Sequence, residues 1–284
     1  MNIQSHQEAT DPGLRITPCF ADSMAHSVST NCRDPSFVHL ATEPRLPIRD
    51  YDQALDVHET FYFQALKKPK IQIVHTKGDL EADDKIRVLL GMRYVPDHMT
   101  LPRVGILHSL GVRVLSLAYK NYPTPYGDNS GGCGKLTHKG MELLEWMNDY
   151  GIVLDLTGTG NKTACDACRF ILENNFSMIP IASHSGCYSV SRDTQDLTDV
   201  LLNIIALMNG YVGIPHEYPE EFMLHAIHAS NVMRMIGTGT IGVCSDRGYS
   251  SYFGMVADLE GQNLHPDIFG RNFLNVIEHS LPQS

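Results

Sequence analysis

The sequence lacks any apolar run long enough to cross a bilayer, and residues 1–36 lack the hydrophobic core of a signal peptide. It also lacks an excess of positive charge, because 32 Asp and Glu against 22 Lys and Arg give a formal net charge of -10. A negative average field repels phosphate backbones and anionic lipid. We therefore expect a cytoplasmic protein that binds a small molecule, with no nucleic-acid partner and no membrane partner.

Cysteine is neither abundant nor even in number, with seven in 284 residues. Disulfide frameworks are dense and paired in short secreted chains, so we expect reduced thiols here. Cys165 and Cys168 form a C-x-x-C spacing, but no second pair or histidine lies near them in the sequence. We interpret them as two small residues on one helix face rather than as a redox or zinc site.

What the sequence does contain is an alternation of short β-prone runs with amphipathic stretches. Strands are predicted at 37–40, 86–92, 113–118, 152–156, 178–182, 211–214 and 240–244, and helices at 101–110, 138–150, 162–173, 197–208 and 220–235. Strands that alternate with helices predict an α/β fold with a parallel sheet, either a closed barrel or an open doubly wound sheet. Both architectures bind ligands at the carboxyl ends of the strands.

The chain has enough apolar material for one large core, since 43% of its residues are hydrophobic. We expect residues 1–35 to form a flexible or partly ordered N-terminal segment. Residues 36–284 are expected to form a single domain, because barrels of parallel strands commonly reach this size undivided.

Short motifs occur in a fixed order along most of the chain: IVHTKGDLEADDKIRVLLGM at 73–92, LGVRVLSL at 110–117, DLT at 155–157, SHS at 183–185, IGVCSD at 241–246 and FGRNFLNVI at 269–277. In this order they resemble the membrane (renal) dipeptidase family. The resemblance implies a (β/α)8 TIM-like barrel of the metal-dependent hydrolase type, and it suggests a homodimer. Family members hydrolyse dipeptides with two zinc ions that a glutamate bridges. Two such cations polarise the scissile carbonyl and activate a bridging water.

Several metal ligands of that family are replaced in this sequence. The first-strand histidine matches His39, but its partner aspartate falls on Ala41. The bridging glutamate falls on Arg93, and the fourth-strand ligand falls on Gly158. Only His184, in Ser-His-Ser, matches a metal ligand without ambiguity. We therefore expect that the dinuclear centre is absent.

Other positions of the resemblance keep side chains that suit catalysis or binding. Asp246 matches an aspartate that serves near the catalytic water, and Arg192 matches an arginine that contacts a substrate carboxylate. Tyr119 stands where the family has a substrate-contacting histidine. Arginine offers a planar fork of donors that suits a carboxylate, so Arg93 and Arg192 together predict a carboxylate-bearing substrate.

These matches support several hypotheses. The first is an enzyme for a dipeptide-like or amino-acid-derived molecule, metal-free or with one zinc at most, using hydrolase or repurposed acid/base chemistry. Its catalytic candidates are His184, Asp246 and Tyr119, and its substrate-binding candidates are Arg93, Arg192, Tyr188 and Asn121. A single zinc ion would bind His39, His184 and Asp246, because three protein ligands and a water make a catalytic zinc site.

The alternatives give the same residues other roles. Arg93 could form a structural ion pair with Asp155 or Asp246. The chain could be a non-catalytic dipeptidase homologue that serves as a binding subunit. It could also be an ordinary zinc dipeptidase that recruits other histidines, of which the candidates are His58, His75, His108 and His216.

Overall fold

The computed structural model describes residues 21–23, 37–42, 49–69, 71–81, 85–93, 95–118, 124–127, 134–215, 219–235, 240–244 and 271–283. In residues 21–23 and 37–42 the description covers the course of the backbone. Among the described helices, none is both long enough and apolar enough to cross a membrane.

All seven strands predicted from the sequence are present, with small shifts at their ends. They are β2 (Phe37–Thr42), β4 (Ile86–Met92), β5 (Val112–Leu115), β6 (Val153–Asp155), β7 (Pro180–Ala182), β8 (Tyr211–Pro215) and β9 (Thr240–Cys244). Each pairs in parallel with the next, in chain order. Their carboxyl ends therefore share one edge of the sheet, which confirms the predicted parallel α/β arrangement.

Two further strands were not predicted. β1 (Ala21–Ser23) pairs antiparallel with β2 and also contacts β9. β3 (Ile71–Ile73) pairs in parallel with β4. Because β1 reaches both the first and the last of the parallel strands, the sheet curls round on itself. Of the two architectures that the sequence allowed, this is the barrel.

Helices follow most of the strands, as the right-handed crossover of parallel strands requires. They are α1 (Tyr51–Leu66), α2 (Leu101–Ser109), α3 (His138–Asp149), α4 (Asn161–Glu173), α5 (Tyr188–Ser191), α6 (Asp199–Leu207), α7 (Pro219–Arg234) and α8 (Arg271–Ser280), with a 3-10 helix at Lys77–Glu81. Threonines begin several of them: the Thr137 side chain accepts a hydrogen bond from Gly140 N, and that of Thr198 accepts one from Leu201 N. The predicted helices correspond to α2, α3, α4, α6 and α7.

Alternation along the strands divides the apolar core into two layers. In β4, Val88, Leu90 and Met92 pack between the sheet and the helices. Leu89 belongs to a second cluster inside the barrel, which also contains Val114, Val153, Ile181 and Tyr211. Since successive strand residues face opposite sides, every second position after these interior residues also points inward.

Helix α8 closes the end of the barrel at which the strands begin. Its buried residues Phe273, Leu274, Val276 and Ile277 join the interior cluster. Phe273 meets Tyr211, the first residue of β8, edge-on with ring centroids 5.1 Å apart. The apolar contacts of α8 therefore lie near the beginnings of the strands, opposite the edge where a ligand is expected.

Strand β5 contains one residue more than its neighbour requires. Leu90 pairs with Val112, whereas the next residue, Gly91, pairs with Val114. The extra residue, Arg113, is a β-bulge that changes the alternation of the strand. As a result Val112 packs in the outer layer and Val114 in the interior. The buried Arg113 guanidinium donates to the carbonyl oxygens of His75 and His108.

Candidate functional site

Three inward-facing polar residues lie at the carboxyl ends of the strands. Arg93 follows β4, Asp155 ends β6 and Ser183 follows β7. Each stands an even number of positions after an interior apolar residue, so the alternation that buries the core also points these side chains into the barrel mouth. All three are buried, and Arg93 is only 1% exposed.

The sequence candidates Arg93 and His184 meet in this mouth. Nη2 of Arg93 lies 3.4 Å from Nδ1 of His184. The imidazole is half-buried, whereas the guanidinium is buried. The fold therefore brings together two residues that are 91 positions apart in the chain.

Asp155 organises the ends of β6 and β7. Its Oδ1 accepts hydrogen bonds from Thr157 N and Ser183 N, both at 3.0 Å, and its Oδ2 accepts one from Ser183 Oγ at 2.6 Å. Asp155 was one of the two carboxylates that we considered as ion-pair partners of Arg93. In the structure it accepts hydrogen bonds from these backbone and hydroxyl donors, which join two adjacent strands.

His184 is held from two sides. Its backbone N–H donates to Thr157 Oγ1 at 3.1 Å, and its Nδ1 lies 3.2 Å from Ser183 Oγ. Thr157 Oγ1 and Ser183 Oγ are themselves 3.2 Å apart. The ring is thus linked through one hydroxyl to the buried carboxylate of Asp155.

The loop that follows His184 is tied down by two further contacts. Gly186 N donates to Asp196 Oδ1 at 2.8 Å, and Cys187 N donates to His225 Nδ1 at 2.8 Å. A backbone N–H needs a lone pair, so His225 Nδ1 carries no proton. Burial lowers the pKa of His225, against the opposing effect of Asp196 and Glu221. A neutral His225 therefore anchors the segment that carries His184.

Of the remaining described candidates, Tyr188 begins α5 and Arg192 directly follows its end. The Arg192 guanidinium lies over the Tyr188 ring, 5.8 Å from its centroid. Arg192 is exposed and has a left-handed backbone with φ of 63° at the end of α5. The structure joins Arg93 to His184, whereas it joins Arg192 to Tyr188.

Four other candidates lie outside what the structure describes. They are Tyr119, Asn121, Asp246 and the side chain of His39. Within the described ranges, no group of three or more His, Cys, Asp or Glu residues is placed to hold a metal ion. The proposed zinc ligands thus include one described side chain, His184.

Three of the alternative histidines lie away from His184, and His216 falls outside the described residues. His58 is buried on α1, where burial lowers its pKa to about 4. His75 and His108 flank Arg113 near the start of β5. Burial followed by the charge of Arg113 lowers the pKa of both, to about 4 for His108.

Sequence reasoning missed Ser183, Thr157 and His225 as parts of this site. The motifs DLT at 155–157 and SHS at 183–185 had been noticed, and both stand at strand ends. Their joint role could have been found by placing them on neighbouring parallel strands. The C-x-x-C cysteines lie on α4 as expected, with Cys168 buried and burial raising its pKa to about 12.

Comparisons with known proteins identify the family of the chain. The family model described as membrane dipeptidase (peptidase family M19) matches residues 15–276. Dipeptidase tcpJ of Claviceps purpurea is 25% identical over 57% of this chain and 39% of its own length. An uncharacterized dipeptidase of Schizosaccharomyces pombe is 22% identical over 82% of this chain and 57% of its own. The chain therefore spans only about half the length of these relatives.

Solved structures show the same fold. Dipeptidase AC, a metallopeptidase of family M19, superposes with a TM-score of 0.71 at 18% identity, covering 88% of this chain and 86% of that one. A metallopeptidase from Rhodobacter sphaeroides, liganded with a phosphinate mimic of the dipeptide L-Ala-D-Ala, gives 0.68 at 19% identity over 84% and 78%. At this level of identity the likeness establishes the TIM-like barrel.

Proposed function

Because the chain belongs to the membrane dipeptidase family, peptidase family M19, we propose that it is an enzyme for a dipeptide-like or amino-acid-derived molecule that carries a carboxylate. In this proposal the carboxylate binds Arg93, and His184 acts as the acid or base. The observation that carries it is the buried guanidinium at the end of β4, 3.4 Å from the imidazole of His184.

A buried arginine in a barrel mouth is well suited to bind an anion. Its guanidinium stays charged and offers parallel N–H donors that match the two oxygens of a carboxylate. This supports a role of Arg93 in fixing one end of the substrate beside His184.

We further propose that the dinuclear zinc centre of the family is absent. Arg93 stands where the resemblance places the bridging glutamate, and a guanidinium carries only N–H donors and a fixed positive charge. Such a group does not fit a position between two cations. A zinc ion in a related site lowers the pKa of a bound water and polarises a carbonyl. Here the chemistry would depend on His184, with Asp246 and Tyr119 as further acid/base candidates.

The first experiment tests carboxylate binding. The affinity of purified protein for L-Ala-D-Ala and for its phosphinate mimic is measured by calorimetry, together with the melting temperature of each variant. We expect Arg93→Gln to weaken binding by at least about tenfold, as loss of a charge-assisted pair costs about 1.5–3 kcal/mol. Arg93→Lys should give an intermediate result because it keeps the charge without the fork.

Arg169→Gln is the matched control, since Arg169 lies on the exposed face of α4 with a side chain 64% accessible. Equal affinity of wild type, Arg93→Gln and Arg169→Gln in folded proteins would refute the role of Arg93. Absence of binding of both probes to wild type would reject a dipeptide-like ligand.

The second experiment is elemental analysis of the purified protein. Two equivalents of zinc would overturn the metal proposal and indicate an ordinary zinc dipeptidase. One equivalent or none agrees with the proposal. Catalysis is then tested with His184→Ala, which should abolish turnover of L-Ala-D-Ala with little change in melting temperature. Binding without turnover in wild type would favour the non-catalytic homologue.

A further inference from the structure

The imidazole of His184 contacts the hydroxyl of Ser183, which in turn contacts the buried carboxylate of Asp155. We propose that Ser183 and Asp155 are positioning residues, which hold the proton of His184 on Nδ1 and present an unprotonated Nε2 to the barrel mouth. This inference deepens the proposed function, and its chemical consequence rests on that function. It concerns a hydrogen-bond chain of three groups: the carboxylate, the hydroxyl and the imidazole.

The direction of the chain follows from donor and acceptor capacity. Ser183 Oγ lies 2.6 Å from Asp155 Oδ2, the spacing of a hydroxyl that donates to a carboxylate. A serine hydroxyl has one hydrogen, so this bond uses it. Toward Nδ1 of His184, 3.2 Å away, the Ser183 oxygen can therefore only accept. That contact is a hydrogen bond only if Nδ1 carries the proton.

Thr157 strengthens this direction. Its Oγ1 accepts the backbone N–H of His184 at 3.1 Å, which leaves its own hydrogen for Ser183 Oγ at 3.2 Å. A second donor to Ser183 again leaves that oxygen in the role of acceptor. The backbone N–H groups of Thr157 and Ser183 both donate to Asp155 Oδ1, so the carboxylate is fixed in place.

Arg93 provides the competing arrangement. Its Nη2 is also near Nδ1 of His184, at 3.4 Å, and a guanidinium can only donate. If that contact prevailed, Nδ1 would be the acceptor and the proton would lie on Nε2. The Ser183 contact is the shorter of the two and continues to a buried carboxylate. We therefore assign the proton to Nδ1.

The consequence concerns the reactive side of the ring. A lone pair on Nε2 can accept a proton from a bound substrate or water, or bind a metal ion, whereas an Nε2–H group can do neither. The orienting partner of a histidine commonly fixes its tautomer in this way. Ser183 and Asp155 would then determine that His184 starts the reaction as a base.

The test is a spectroscopic reading of the tautomer in the full-length protein. Protein with ¹⁵N-labelled histidine rings is studied by long-range ¹H–¹⁵N correlation at pH 8, without ligand, and His184→Gln identifies the signals among 14 histidines. We expect the Nδ1–H pattern for His184 in wild type. Ser183→Ala and Asp155→Asn should lose it in favour of Nε2–H. Ser189→Ala is the matched control and should keep it, because the Ser189 hydroxyl donates to Asp199.

An Nε2–H pattern in wild type would overturn the assignment and identify Arg93 as the donor to Nδ1. An Nδ1–H pattern that survives in a folded Ser183→Ala protein would overturn the positioning role. If the variants do not fold, the wild-type spectrum still decides the tautomer. Binding of L-Ala-D-Ala is measured separately, so a failed function and a failed positioning role give different results.

Discussion

Replacement of Phe273 by alanine tests whether α8 closes the lower end of the barrel. Phe273 is fully buried and packs edge-on against Tyr211, with an interplanar angle of 61°. Truncation of a buried phenylalanine costs about 3–5 kcal/mol, of which the aromatic pair contributes about 0.5–1.5 kcal/mol. Natural domains are stable by only about 5–15 kcal/mol, so a substantial part of that margin is at risk.

The assay is urea unfolding at 25 °C, followed by circular dichroism, with Phe63→Ala as the control. Phe63 lies on α1 with 57% of its surface exposed, so its replacement should change the free energy of unfolding by less than about 0.5 kcal/mol. Equal unfolding midpoints for the two variants would refute the role of α8. Affinity for L-Ala-D-Ala should not change in Phe273→Ala, because α8 lies opposite the barrel mouth.

Three further predictions concern other parts of the fold. Burial lowers the pKa of His58 from 6.5 to about 4, so only the unfolded chain takes up this proton as the pH falls from 6.5 to 4. The free energy of unfolding should therefore fall over that window by about 3 kcal/mol. His58→Gln should flatten the dependence of the urea midpoint on pH. Gly111→Ala should lower the free energy of unfolding by about 1–3 kcal/mol, because φ is +97° and the new Cβ would overlap a neighbouring side chain. Gly78→Ala should be nearly neutral in the same assay, because the nearest atom to its new Cβ is 3.7 Å away. Burial raises the pKa of the Cys168 thiol to about 12, so this cysteine should resist maleimide at pH 8 in the native protein and react in urea. Peptide mapping measures the labelling, and rapid labelling of the native protein would show that the thiol is accessible.

The sheet was predictable because its strands are buried on both sides. A run such as Ile86–Met92 is apolar at nearly every position, and the amphipathic stretches between the runs gave most of the helices. Arg93 was singled out because the resemblance places it at the position of the family's bridging glutamate. In the structure its buried guanidinium lies 3.4 Å from Nδ1 of His184, while the chemical roles of the two residues stay predictions.

Other features were beyond the reach of the sequence because they depend on which strands are neighbours. The Asp155 network requires that β6 and β7 pair with Asp155 opposite Ile181, which places Ser183 within reach of the carboxylate. β1 is three residues long and is defined by its pairing with β2 rather than by its composition. The sequence at 269–277 was noticed as a motif, but the helical, barrel-closing role of residues 271–277 depends on the interior cluster that they join.

The additional residue in β5 limits how this barrel can be redesigned. A strand of the same length without the bulge would alternate without a break, and Val114 and Leu115 would then exchange interior for exterior. The side chains that follow β5 toward the barrel mouth would then face the opposite sides of the sheet. A chimaera that takes this strand from a relative must therefore match its residue count as well as its apolar character.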